Sequence, residues 1–387
     1  EHYFDDLLKR AIDSREALER WILDVSEVAA CIEEQRAHVY NASTCHTNDE
    51  AIQNAYLSFV ENVQARALPW RHKLLVRLVE LANKFALPAK RYEVLLRGAR
   101  NAVSLYRDEN VPLLTEDTKL SNAYQRIVGA MSCEYDGREQ TLQQLSRYNE
   151  EPDRTVREET WRLAADRFAA DRQELDTLYE KMVGLRNQVA RNAGCSDYRA
   201  YMFKAMERFD YTPEDCLAFH DAIEQIVVPA AKKLAEQRRA KLNIPSLRPW
   251  DFGVDPEGRP PLRPFETVHE LIAGCREILG KVHPEIGRVF ETLHERGLLD
   301  LDSRKGKAPG GYQDTYPERR VPFIFMNAAG TMRDVETLLH ESGHACHTWA
   351  CRNEPILAYR SCEGMIEFAE VASMGMECLT LPHLDVF

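Results

Sequence analysis

Long stretches of the chain place an apolar residue at every third or fourth position. In "DSREALERWILDVSEVAACIEEQRAHVY", Leu18, Trp21, Ile22, Val25, Val28 and Ile32 share one face at helical spacing. Asp13 and Glu16 stand three apart just ahead of that stripe, the spacing of a capping box. "TNDEAIQNAYLSFVENVQARA" and "RHKLLVRLVELANKFAL" repeat the pattern, and the polar breaks between them predict antiparallel helices. Such stripes are core, and the first hundred residues offer no candidate site. Asp136-Gly137 between two short runs predicts a hairpin. Helical periodicity returns at about 154–193 and 213–241, then breaks over the Pro/Gly-rich stretch 243–265. Two more helices are predicted at about 266–279 and 284–297.

The pattern then changes. "DSRKGKAPGGYQDTYPERR" is rich in glycine and charge and is a poor helix. "VPFIFMNA", Val321 to Ala328, has strand composition and is apolar on both faces until Asn327. After Gly330, Thr331 and Asp334 stand at capping-box spacing and open another helix. The prediction is a mainly α fold with a small β-sheet beside that last helix. Three regions follow: helical 1–128, a hairpin and helical connector at 129–195, and a C-terminal region at 196–387.

Composition narrows the function classes. With 387 residues, 44% hydrophobic, the chain can bury a sizeable core. A net charge of −12 argues against nucleic acid as a partner. Ten cysteines without a CxxC pair read as reduced thiols of a cytoplasmic protein. No apolar run approaches the roughly 18 residues of a membrane span. A start at Glu1 and an abrupt end in "PHLDVF" suggest trimmed ends. Oligomeric state is not legible.

The candidate chemistry lies in "LLHESGHACHTW", Leu338 to Trp349. His340, Glu341 and His344 form H-E-x-x-H. On a helix, positions i and i+4 put both imidazoles on one face, about 6 Å apart, where both can reach one ion. Glu341 is rotated by about 100° from His340, so it can stand beside the metal as general base for water. His347 shares the face but would lie about 7–8 Å beyond the midpoint of the pair, too far to bind directly. It is expected to support the site or line the pocket.

A carboxylate from a following helix should complete the protein ligands. Glu363, Glu367, Glu370 and Glu377 fall on one helical face of "CEGMIEFAEVASMGMECLT". Spacing alone leaves Glu363 and Glu370 open.

At these residues the chain resembles the oligoendopeptidase F branch of the thimet-oligopeptidase family. "DSRKGKAPGGY" resembles that branch's glycine loop, "FIFMNAAGTMRDVETLLHESGHACH" its strand and metal helix, and "EFAEVASMGMECL" its E-V-A-S helix. "CEYDGREQTLQQL" is similar to the family's hairpin. The resemblance spans about 130 to 387 and is specific from about 302.

It implies a multi-helix, channel-forming metallopeptidase fold holding one Zn2+ per chain. His340, His344 and Glu370 would be the ligands, Glu341 the base, and Glu377 would orient a ligand histidine. Asn327 and Ala328 would contact substrate through their main chain, and Gly310, Gly311 and Tyr312 would form a mobile loop facing it. Family members continue past the E-V-A-S helix and carry oxyanion-stabilising His and Tyr residues there. The chain ends 17 residues after Glu370, so those groups are expected beyond Phe387.

The expected function is zinc-dependent endopeptidase hydrolysis of short peptides. Alternatives are a thermolysin-like or carboxypeptidase-type zinc peptidase using Glu363, or a non-catalytic peptide-binding homologue.

Overall fold

A computed structural model describes residues 1–360 and 366–387. The first long helix shows how local chemistry sets its ends. Helix α1 (His2–Lys9) precedes α2 (Arg15–Cys45), and the N-cap of α2 is Ser14, whose hydroxyl accepts from the Ala17 N–H at 3.2 Å. The cap therefore falls one residue after the expected Asp13, because Ser14 takes the extended conformation an N-cap needs. Leu18, Trp21 and Ile22 are buried, as their stripe predicts.

The two helices expected after α2 are joined. Helix α3 (Glu50–Phe59) passes through a π-helical turn, Val60–Gln64, into α4 (Ala65–Lys84). Pro69 lies inside α4 and cannot donate to the helix ladder; the wider turn just before it absorbs the mismatch. The same device recurs at Ile223–Val227, a π turn that precedes Pro229.

Helices α5 (Ala89–Leu105) and α6 (Asn110–Gly129) lead to the hairpin β1 (Ser132–Tyr135) and β2 (Arg138–Thr141). Asp136 and Gly137 both have positive φ, 53° and 69°, as a two-residue turn between right-twisted strands requires. Thr141 and Gln144 form the capping box of α7 (Leu142–Ser146). Then come α8 (Arg154–Ala170), α9 (Arg172–Asn192), α10 (Tyr198–Ala205), α11 (Pro213–Ala222), the π turn Ile223–Val227 and α12 (Val228–Lys241). The Pro/Gly-rich stretch is mostly irregular but not loose: Asp251 is fully buried and pairs with Arg154 and Arg157.

Helices α13 (Val268–Val282) and α14 (Pro284–Glu295) pack beside a three-stranded sheet of β3 (Leu299–Asp302), β4 (Tyr312–Tyr316) and β5 (Val321–Ala328). Strand order is β3-β5-β4, with β5 parallel to β3 and antiparallel to β4. Helix α15 (Met332–Cys351) follows, then α16 (Ile366–Thr380). The fold is mainly α with small sheets.

Two apolar clusters hold this together. One joins α1, α2, α4 and α5 through Leu7, Leu18, Trp21, Leu74, Leu78 and Tyr92. The other joins α13, α14, β5 and α15 through Leu271, Ile278, Phe290, Ile324, Phe325 and Leu338. Each fully buried Leu, Ile or Phe contributes about 1.5–3 kcal/mol, so the sheet and α15 rest on the more extensive of the two cores. No helix among the described residues is long and apolar enough to cross a membrane.

Candidate metal centre

Asp334 fixes the start of α15. Its Oδ2 accepts from the Thr331 N–H at 2.8 Å, the Thr331 hydroxyl at 2.9 Å and the Ala329 N–H at 2.9 Å. The predicted Thr-Asp cap is therefore formed, and it ties the end of β5 to the helix. Val335, Leu338 and Leu339 bury one face of α15. The opposite periodicity turns His340 and His344 toward α16.

Helix α16 lies very close to α15 because Gly343 has no side chain. A Cβ at Gly343 would stand 2.5 Å from the Ala372 carbonyl oxygen and 2.6 Å from the Ser373 Cα. This approach brings Glu370 over the histidine pair. His340 Nε2 and His344 Nε2 lie 3.3 Å and 3.6 Å from Glu370 Oε2. The three donor atoms are all within 4.8 Å of one another. Tetrahedral ligands at about 2.0–2.1 Å from a metal stand about 3.3 Å apart, so the carboxylate oxygen already sits at ligand spacing from each imidazole. Two imidazoles and a carboxylate are also a donor set suited to a divalent transition metal.

The surroundings favour this state. His340 Nδ1–H donates to Glu377 Oε1 at 2.6 Å, which leaves Nε2 with its lone pair facing Glu370. Burial pushes the His344 imidazolium down, and the nearby His340 and His347 push the same way against Glu370, so the neutral form is favoured. Burial pushes the Glu341 carboxyl up to about 7; His340 opposes, Glu370 adds to the rise, and the Gln313 main-chain N–H opposes by donating to it. Glu341 is buried on α15 beside the cluster.

His347 is half-buried and lies outside the three-residue group. Glu363 falls outside the described residues. Glu367, on the same predicted stripe, is not turned to the histidines: its Oε1 accepts from Arg208 Nε at 2.7 Å and from the Tyr211 hydroxyl.

Two of the segments expected to contact substrate are built into the sheet. Asn327 and Ala328 lie on the central strand, not an edge. The Ala328 carbonyl accepts from the Ser303 N–H, and Asn327 Nδ2 donates to the carbonyls of Ala308 and Gly310 at 2.9 Å each. The Ala328 carbonyl and the Asn327 side-chain amide are thus engaged within the protein. The edge strand beside α15 is β4. Thr315 faces Pro322, which has no N–H, so that pair is not hydrogen-bonded. Gln313 has the same parity, and its main chain therefore points away from β5, toward Glu341.

Gly310 and Gly311 do form the turn into β4, and Gly310 needs its glycine at φ 93°. Tyr312 is strand rather than loop. Its ring stacks on Phe325 at 4.7 Å, and its hydroxyl is shared with Thr44 at 2.6 Å and donates to Asn41 at 3.1 Å. That side chain is held in the contact with α2.

Sequence reasoning missed Ser373, Arg208 and Tyr211. The E-V-A-S motif contained Ser373, but spacing says nothing about where a serine hydroxyl points. Arg208 and Tyr211 are some 160 residues from their partner, and no local pattern marks them.

A profile described as Peptidase family M3 matches residues 147–386. The chain is 25% identical over 237 residues to group B oligopeptidase PepB of Streptococcus agalactiae serotype III (strain NEM316), covering 59% of this chain and 36% of that protein. It is 25% identical over 154 residues to the chromosomal oligoendopeptidase F of Lactococcus lactis subsp. cremoris, covering 39% and 24%. The matched stretches thus span about a third and a quarter of these relatives' own lengths.

Among solved structures, PZ peptidase A with an inhibitor superposes at TM-score 0.91 with 26% identity, over 100% of this chain and 68% of that one. A Bacillus anthracis (strain Ames) protein assigned as an oligoendopeptidase F gives TM-score 0.92 over 100% and 71%; its 24% identity speaks for the fold alone. The profile takes in more than half of the residues and the fold agrees from end to end, so the chain belongs to peptidase family M3 and resembles its oligoendopeptidase F branch.

Proposed function

We propose that this chain carries the metal centre of a zinc-dependent endopeptidase acting on short peptides. The observation that carries the reading is the meeting of His340 Nε2, His344 Nε2 and Glu370 Oε2 at ligand spacing, with Glu341 buried beside them. His340, His344 and Glu370 would hold one Zn2+, since a His2-carboxylate set with an open fourth position is a catalytic zinc arrangement. When bound, the metal supplies a Lewis acid that polarises the scissile carbonyl and makes water acidic.

Glu341 takes the proton from the attacking water at its carboxylate and delivers it to the leaving amine nitrogen. The Gln313 N–H holds that carboxylate in place. Glu377 keeps His340 in the tautomer that leaves Nε2 free. The edge of β4 is our assignment for the strand that pairs with an extended peptide, because it is the sheet edge next to Glu341.

The restriction to short peptides rests on the two relatives named as oligopeptidases. The cytoplasmic location is our reading of ten cysteines without a CxxC pair.

The test pairs Glu341→Gln with the parent chain in a quenched-fluorescent peptide assay and a zinc determination. The expected result is retained zinc with cleavage reduced by at least about 10²-fold, the lower end for general-base removal. Equal cleavage by the variant would overturn the assignment of Glu341. A chain extended through the segment expected beyond Phe387 that binds zinc yet cleaves no peptide would leave a peptide-binding role instead.

A further inference from the structure

Glu370 is a half-exposed side chain with several rotatable bonds, yet its Oε2 stands between two imidazoles. Free rotamers would cost such a side chain up to about 1.5–2 kcal/mol on ordering. Something should hold it, and the neighbouring groups identify it. Ser373 is fully buried, one turn further along α16. Its Oγ lies 2.8 Å from Glu370 Oε2, the same oxygen that faces His340 Nε2 at 3.3 Å and His344 Nε2 at 3.6 Å.

A serine in a helix can instead bond back to a carbonyl, and the Glu370 main-chain oxygen is also within 3.1 Å. The hydroxyl has one hydrogen to give. A charged carboxylate oxygen at the shorter distance is the stronger acceptor. Each carboxylate oxygen has two lone pairs, so one can take the Ser373 hydrogen while the other stays directed at a metal.

The backbone of Ser373 is itself fixed. Its Cα is one of the atoms that a Cβ on Gly343 would strike, so it rests directly against the turn of α15 between the two histidines.

We propose that Ser373 is a positioning residue for the third metal ligand: its hydroxyl holds Glu370 Oε2 at ligand spacing and transmits the close α15–α16 packing to that carboxylate. This rests on the reading of His340, His344 and Glu370 as a zinc site.

The test is zinc affinity by competition with a chromogenic chelator, on the full chain, for the parent, Ser373→Ala, Ser373→Thr, Glu370→Gln and the Ser373→Ala/Glu370→Gln double variant. Cobalt substitution adds the visible d–d spectrum as a readout of ligand geometry. Ser373→Ala should weaken zinc about 10-fold or more, in the range seen when an outer-shell partner is removed, and should alter the cobalt spectrum. Ser373→Thr, which keeps the hydroxyl, should recover affinity. In the Glu370→Gln background, Ser373→Ala should change zinc affinity less than twofold.

An unchanged affinity in Ser373→Ala, with Glu370→Gln weakened, would overturn the role of Ser373 while leaving the site itself intact. A Ser373→Ala effect of equal size in both backgrounds would reduce Ser373 to a helix-packing residue and also overturn it. Zinc affinity that none of the Glu370 variants changes would remove the site reading first, and the inference with it.

Discussion

The Nδ1 of His340 lies 2.6 Å from Glu377 Oε1, across the interface between α15 and α16. A carboxylate can only accept, so this contact assigns the ring proton to Nδ1 and directs Nε2 at the space in front of Glu370. Outer partners of ligand histidines typically change metal affinity by about 10–100-fold when removed. Glu377→Ala should therefore weaken zinc binding by that amount, and Glu377→Gln, which keeps an acceptor, should fall between. Chelator competition measures both. Parent-like zinc affinity in Glu377→Ala would show that packing alone orients the ring.

Gly343 sets the distance between the same two helices. Gly→Ala in a helix interior normally stabilises by about 0.5–1 kcal/mol. Here a new Cβ would meet backbone atoms at 2.5 Å and 2.6 Å, so the helices must separate. Overpacking of this kind costs about 1–3 kcal/mol, and the steric effect wins. Gly343→Ala should lower the urea midpoint and weaken zinc binding together, because Glu370 moves with α16. A variant that is more stable than the parent would contradict the close packing.

A buried ion cluster fastens the glycine loop to the sheet. Lys307 Nζ, with no exposed side-chain surface, bonds Asp300 Oδ1 at 2.8 Å and the carbonyls of Asp300, Asp302 and Met326. Burial alone would push the Asp300 carboxyl up, but hydrogen bonds from Arg304 and Lys307 outweigh it and hold the group well below the usual carboxylate range. Lys307 is not its mirror image: burial pushes the ammonium down, and Asp300 only partly opposes.

The pH consequence follows from the depressed carboxyl. Its stabilisation is fully present above the ordinary Asp value, about 3.9, and is lost as pH falls below it toward the folded value. Lys307 stays protonated in both states across that acid window and adds no slope there. Asp300→Asn should cost about 3 kcal/mol at pH 7, as for a broken buried pair, and should flatten the fall of stability between about pH 4 and pH 2. Urea titrations at several pH values test this; an acid slope identical to the parent's would sink it.

The parts that sequence made legible are those set by neighbours along the chain. Asp136-Gly137 specifies its turn through backbone sterics, and Thr331 with Asp334 specifies the start of α15 through one carboxylate and three donors. His340 and His344 share a face by helical period alone. For the proposed third ligand, spacing leaves Glu363 and Glu370 open, and the resemblance singles out Glu370. What places that carboxylate between the histidines is the contact at Gly343, a non-local feature. Strand order was also non-local. The apolar run Val321–Ala328 reads as a buried strand, but nothing in it says that β3 and β4 lie on its two sides. The run therefore offers Asn327 and Ala328 as candidates for substrate pairing and gives no sign of the edge strand β4. Polar breaks predict separate helices where α3 and α4 are in fact joined, and the π turn that joins them leaves no mark that periodicity detects.

The first turn of α16 is tied to a distant part of the chain. Glu367, one turn before Glu370, accepts from Arg208 at 2.7 Å and from the Tyr211 hydroxyl, and both donors lie between α10 and α11. The pair is partly exposed, 25% for Arg208 and 44% for Glu367, so solvent screens it and its contribution to global stability is at most about 1 kcal/mol. Its effect should be local. With both donors removed, the first turn of α16 loses this link to the segment between α10 and α11, and helix ends open at low free energy. Arg208→Met combined with Tyr211→Phe should therefore leave the urea midpoint nearly unchanged, while amide hydrogen exchange accelerates several-fold in the first turn of α16 and not in α15. Equal acceleration in both helices would mean that the link supports the whole helix pair; no acceleration in either would mean that the α15 contact alone holds Glu370 in place.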